Sequence, residues 1–171
     1  MMRILVAQIN PTVGDLEGNT QKILDAIIQG RKQDAKIVLF SELALTGYPP
    51  EDFLLMPHFL EAVGKNLQTI ADATQGLTAI VGAPRRTLGV GEKLVANTAF
   101  ILQNGKMIGY QDKRLLPTYD VFDERRYFSP SQGNFVWTIE GKRVAITICE
   151  DLWAHSESVK YTHYQVDPIK E

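Results

Sequence analysis

The chain has 171 residues, 44% hydrophobic and 22% charged, which is enough to bury one sizeable core. A net charge of -2 and a pI near 5.9 argue against nucleic acid as a partner, because phosphate binding draws on clustered Lys and Arg. No apolar run approaches the roughly 18 residues of a membrane span. Met2 to Ala7 is too short for a signal peptide, and a single cysteine suits a reducing compartment. The expectation is a cytoplasmic protein with no membrane partner.

Met2 to Gln8 reads as a buried strand, followed by a loop over Asn10–Asp15. Asn19 is the expected cap of a helix running through Ile23, Leu24, Ala26, Ile27 and Ile28. Lys36 to Phe40 is a second apolar strand of the kind covered on both faces. Pro49-Pro50 breaks the chain. Phe59 to Ala73 then places Leu60, Val63, Leu67 and Ile70 on one helical face, and Leu77 to Gly82 is a third strand. Gly89-Val90-Gly91-Glu92-Lys93-Leu94 lacks the third glycine of a dinucleotide fingerprint and reads as a loop.

Two hairpins follow. Ala96–Leu102 turns at Asn104-Gly105 into Lys106–Tyr110, and Phe135–Ile139 turns at Glu140-Gly141 into Arg143–Ile148. Strand–helix–strand units combined with hairpins imply an α/β fold with mixed sheets. Beyond Trp153 the apolar periodicity stops, so residues 1–171 read as one domain that is incomplete at its C-terminus.

Three strand ends carry reactive side chains. Cys149 stands where the apolar run Val144–Ile148 gives way to Glu150-Asp151-Leu152-Trp153, a common way of presenting a nucleophile. Glu42 follows the second strand, where desolvation suits a carboxylate to proton transfer. Lys113 follows the Lys106–Tyr110 strand. A thiol needs a proton acceptor and a charge-stabilising neighbour to attack a carbonyl, and these two residues offer both. Taken singly, each has a plainer reading: a buried thiol, a loop carboxylate, a surface lysine. The polar, aromatic segment after Lys113 suggests a pocket wall in which Tyr119 and Phe122 pack a substrate and Glu124 orients Lys113. His58, His155 and His163 lack metal-ligand spacing, so no metal site is expected, and a Cys149–His155 pair lacks an orienting partner.

Phe40–Tyr48, Lys113–Pro117 and Ile148–Trp153 resemble, in order, the three motif blocks of the nitrilase, or carbon–nitrogen hydrolase, superfamily. Within it, Ala7–Leu16 and Leu116–Glu124 are similar to the glutaminase domain of the bacterial glutamine-dependent NAD+ synthetase family. The resemblance implies a nitrilase-like α-β-β-α four-layer sandwich that forms homo-oligomers. It implies Glu42 as general base, Lys113 as stabiliser of the tetrahedral intermediate and Cys149 as the nucleophile that forms a glutamyl thioester. By the same resemblance Tyr119 and Glu150 contact the substrate glutamine, and Glu124 is the second glutamate beside the lysine. Ammonia would feed a synthetase domain, absent from these residues, that uses ATP and Mg to amidate nicotinic acid adenine dinucleotide; the glutaminase part needs no cofactor. Against this stand a stand-alone amidase acting on another small amide and a non-catalytic interaction module.

Overall fold

The computed structural model describes residues 2–89, 92–154 and 164–170. Its residues divide into two compact units, 1–84 with 98–110 and 85–97 with 111–171.

The first unit begins with strand β1 (Ile4–Ala7), helix α1 (Leu16–Lys32) and strand β2 (Ile37–Phe40). Helix α2 (Pro57–Asp72) and strand β3 (Thr78–Arg86) follow. β1 pairs in parallel with β2, Ile4 opposite Ile37, and β2 with β3, Ile37 opposite Thr78. Strands β4 (Val95–Gln103) and β5 (Lys106–Asp112) complete a five-stranded sheet in the order β1-β2-β3-β4-β5. Asn104 and Gly105, at φ 50° and 80°, make the hairpin turn that their dipeptide predicts.

Helix α1 starts earlier than expected. Asp15, not Asn19, is its N-cap, its carboxylate accepting from Gly18 N at 2.9 Å. Capping needs a side-chain acceptor beside the first turn, and Asp15 supplies it four residues upstream. The stripes of the two helices enclose one core: Ile23 and Ile27 of α1, Val63, Leu67 and Ile70 of α2, against Val38, Phe40, Ala79 and Val81. Each such aliphatic side chain contributes about 1.5–3 kcal/mol on burial. The buried stripe of α2 opens with Phe59 rather than Leu60, and Ile28 lies outside that of α1. β1 also departs from expectation. It is outermost in the strand order, and Ile4 and Val6 are 48% and 67% exposed while Ala7 is buried. Alternate residues on a strand face opposite ways, so one face of β1 is covered and the other open.

In the second unit, Val95 bridges in parallel to Phe128, just beyond the short helix α3 (Glu124–Tyr127). Strands β6 (Val136–Ile139) and β7 (Lys142–Ala145) form an antiparallel two-stranded sheet. The predicted second strand of this hairpin ran to Ile148, but β7 stops at Ala145. Fully buried Gln111 anchors the segment before the hairpin, donating to Gly133 O at 3.0 Å and accepting from Phe135 N at 2.9 Å. Among the described residues no helix is long and apolar enough to cross a membrane. Val90, Gly91, His155 and His163 lie outside the described residues, so the glycine loop and the Cys149–His155 pair are not placed.

Candidate active site

In the first unit, Glu42 sits two residues beyond β2 and is half buried, less enclosed than its strand suggests. Leu43, immediately after it, takes a left-handed φ of 49°, which turns the chain sharply. Two features that sequence patterning missed hold this turn. Asn19, fully buried on α1, accepts from Thr12 N at 2.8 Å and donates to Thr12 O and Leu45 O at 2.7 and 3.0 Å. Gly82 of β3 lies so close that an added Cβ would stand 2.4 Å from Leu43 N and 2.5 Å from Ser41 O. Only a residue without a side chain lets the two backbones approach there. The signal for Asn19 was visible as a polar residue on an apolar helical stripe.

The other expected site residues gather in the second unit. Lys113 directly follows β5 and is 0% exposed, the reverse of what a lysine's usual placement suggests. Its backbone N–H donates to Asn97 O at 2.8 Å, and its carbonyl accepts from Ser131 N at 2.9 Å. Its ammonium lies 2.8 Å from Glu124 Oε1, a carboxylate only 4% exposed. A buried ammonium is tolerated because a hydrogen-bonded counter-charge offsets its desolvation. Glu124 is set in place by α3, whose first N–H donates to Pro117 O at 3.1 Å.

Cys149 is exposed and opens a one-turn 3-10 helix, Cys149–Leu152, with a left-handed φ of 47°. Such a conformation costs a non-glycine residue about 1–3 kcal/mol and persists only where the surroundings enforce it. The enforcing group is Asp151, 1% exposed, whose carboxylate accepts from Ile148 N at 3.0 Å and from Arg114 N and Leu115 N at 3.0 and 2.8 Å. Burial pushes the Asp151 carboxyl above its ordinary value, against the opposing pull of these amides and of the Lys113 charge.

Glu150 is buried and accepts the Tyr119 hydroxyl at 2.9–3.0 Å and the Tyr164 hydroxyl at 2.8 Å. Tyr119 meets Phe122 edge-on, with ring centroids 5.7 Å apart. Burial, the Glu150 hydrogen bond and the Glu150 and Cys149 charges hold the Tyr119 hydroxyl up at about 12, with Lys113 pulling the other way. Burial, the Glu150 hydrogen bond and charge, and Tyr119 likewise raise the Tyr164 hydroxyl, with Arg125 pulling the other way. Tyr119 thus lies within electrostatic reach of both Cys149 and Lys113. Among the described residues no cluster of His, Cys, Asp and Glu is arranged to hold a metal.

Residues 3–166 match the carbon-nitrogen hydrolase family. The chain belongs to it. Among curated relatives of this carbon-nitrogen hydrolase chain, the glutamine-dependent NAD(+) synthetase of Xanthomonas campestris is 46% identical over 155 residues. That alignment covers 89% of this chain and 27% of the relative. The synthetase of the same name from Synechocystis is 37% identical, covering 100% of this chain and 31% of its own. The chain therefore spans between a quarter and a third of the length of these relatives. The structure of glutamine-dependent NAD+ synthetase from Acinetobacter baumannii superposes with a TM-score of 0.84 at 32% identity, over 90% of this chain and 28% of that one. An amidase from Nesterenkonia superposes at 0.74 with 24% identity, over 88% of this chain and 56% of that chain, a likeness of fold alone. The nitrilase-like α/β fold is the one that the motif blocks imply.

Proposed function

We propose that this chain hydrolyses the side-chain amide of glutamine, with Cys149 as nucleophile, Lys113 as the cationic stabiliser and Glu42 as general base. The observation that carries the reading is Lys113: a fully buried ammonium held by Glu124, in the same unit as an exposed, conformationally strained cysteine. A buried lysine is costly unless its charge is used, and an ammonium in a dry site is worth most against a developing oxyanion.

In this mechanism the Cys149 sulfur attacks the amide carbon while Glu42 takes the thiol proton. The oxyanion faces Lys113, the carbon–nitrogen bond breaks, and Glu42 returns the proton to nitrogen, so that ammonia leaves and a thioester remains. Water then adds, giving a proton to Glu42. The carbon–sulfur bond breaks, the thiolate regains that proton, and glutamate departs. Tyr119 and Phe122 wall the substrate, and Glu150 fixes the Tyr119 hydroxyl toward it. The names of the relatives support glutamine as the substrate and NAD+ synthesis as the use of the ammonia. As part of the same proposal, the ammonia passes to a synthetase domain that uses ATP and Mg to amidate nicotinic acid adenine dinucleotide. Open apolar positions such as Ile4 and Val6 favour self-association, which sedimentation velocity tests.

The deciding experiment measures glutamate release from glutamine by the protein and by Cys149→Ala, with acetamide and propionamide as competing substrates. Loss of turnover in the variant by roughly 10³ or more is expected. Turnover that survives in Cys149→Ala removes the reading; turnover of the small amides with none of glutamine replaces it with a stand-alone amidase.

A further inference from the structure

We infer that Asp151 is a positioning residue that sets the spacing between the nucleophile turn and the lysine strand end, by gripping the backbone on both sides at once. The inference rests on the reading of Cys149 and Lys113 given above. One oxygen of its carboxylate accepts both Arg114 N and Leu115 N, the two residues after Lys113. The other accepts Ile148 N, the residue before Cys149. Asp151 N in turn donates to Ile148 O at 3.1 Å, closing the turn on itself. Lys113 is already fixed through Asn97 and Ser131. The grip therefore ties a mobile-by-nature 3-10 turn to an anchored strand end.

Three converging N–H donors explain why an aspartate stands here. Its two oxygens can accept all three, whereas the near-isosteric asparagine has one acceptor oxygen and would aim an N–H group at an N–H. A glutamate is one methylene too long for a site 1% exposed. The grip also explains how Cys149 keeps a left-handed φ of 47°, since Ile148 and Asp151 bracket it and are bonded to one another. Charge enters as well: the Lys113 ammonium acts on the Asp151 carboxyl, so the gripping group itself lies in the field of the lysine whose strand end it holds. Misplacement by about 1 Å costs a reaction roughly 10²-fold, so a residue that touches no substrate can govern rate through distance alone.

The test compares Asp151→Asn with the unsubstituted protein by two readouts. The first is the rate at which iodoacetamide alkylates Cys149, followed across pH by peptide mass; it needs no glutamine. The variant should alkylate more slowly at neutral pH, with its profile displaced upward, as the thiol loses its set distance from Lys113. The second is steady-state glutamine hydrolysis, where kcat should fall roughly 10²-fold with KM within about threefold, since substrate contacts are untouched. A residue that merely stabilised the fold would lower the melting temperature and leave the alkylation profile in place, and that result overturns the inference. Should the variant not fold, amide hydrogen exchange in the unsubstituted protein decides: Ile148, Arg114 and Leu115 should be protected and open together, and rapid or unrelated exchange at the three sinks the proposal. Surviving turnover in Cys149→Ala would remove the hydrolytic reading while leaving the alkylation arm able to judge the grip.

Discussion

The turn after β2 is held by neutral groups: the Asn19 side-chain amide, the bare Gly82 backbone and main-chain bonds such as Leu45 N to Gly82 O at 3.1 Å. The turn that opens with Cys149 is held by charged ones, with Asp151 gripping three amides and Lys113 and Glu124 paired beside the same chain segment. Both turns carry a left-handed residue, Leu43 in one and Cys149 in the other. A scaffold built of neutral bonds responds to shape; one built of ionised groups responds to shape and to protons. Sensitivity to pH and to charge substitution should therefore concentrate in the second unit.

The largest break should come from Glu124→Ala, which leaves the Lys113 ammonium buried without its carboxylate. The expected cost is about 3–5 kcal/mol in denaturant unfolding, with glutamine hydrolysis down by roughly 10³. A loss under 1 kcal/mol would mean that the pair is not what keeps the amine inside. Next comes Asn19→Asp, which turns two N–H donors into an acceptor facing the Thr12 and Leu45 carbonyls. About 2–3 kcal/mol should be lost at neutral pH. A carboxyl facing carbonyls favours its proton when folded, so stability should recover as the pH is lowered, making the first turn behave like the second. Gly82→Ala should cost about 1–3 kcal/mol through overpacking against Ser41 and Leu43, with no pH dependence of its own.

The smaller effects sharpen the contrast. Tyr119, held at about 12, binds its proton more tightly folded than unfolded; its contribution to stability is whole below about pH 10 and is lost as the pH rises from 10 through 12. Glu150→Gln should bring this ionisation down toward the ordinary tyrosine value, visible in an ultraviolet titration. Asp151, raised by burial, has the same sign at the acid end. The advantage in stability of the unsubstituted protein over Asp151→Asn should grow as the pH falls from neutral toward the ordinary carboxylate range, read from denaturant midpoints. A difference that shrinks in acid would reverse the assigned direction.

How much of this was legible beforehand follows from where the determinants lie. The hairpin at Asn104-Gly105 and the stripe through Val63, Leu67 and Ile70 depend on near neighbours, and local pattern carries such information. The open face of β1 depends on its outermost place in the sheet, which no local pattern encodes. The motif blocks pointed to Lys113 and Cys149, but the burial of Lys113 rests on a partner eleven residues away, and its type alone favours the surface. By local pattern Asn19 reads as a helix cap and Asp151 as part of a motif, because one deciding partner of each, Leu45 and Arg114, lies 26 and 37 positions away. Side chains that hold distant backbone together are the residues a one-dimensional pattern most easily misfiles.

The complete burial of the Lys113 amine also makes it a built-in gauge of breathing. Reagents that acylate amines will tag exposed lysines such as Lys106 and Lys170 at once, but can reach Lys113 only in moments when its surroundings part. The lag between surface tagging and the Lys113 tag therefore clocks the local opening of this region. A ligand that seats beside Cys149 should lengthen that lag as the unliganded fraction falls, giving a binding assay that requires neither turnover nor a labelled ligand.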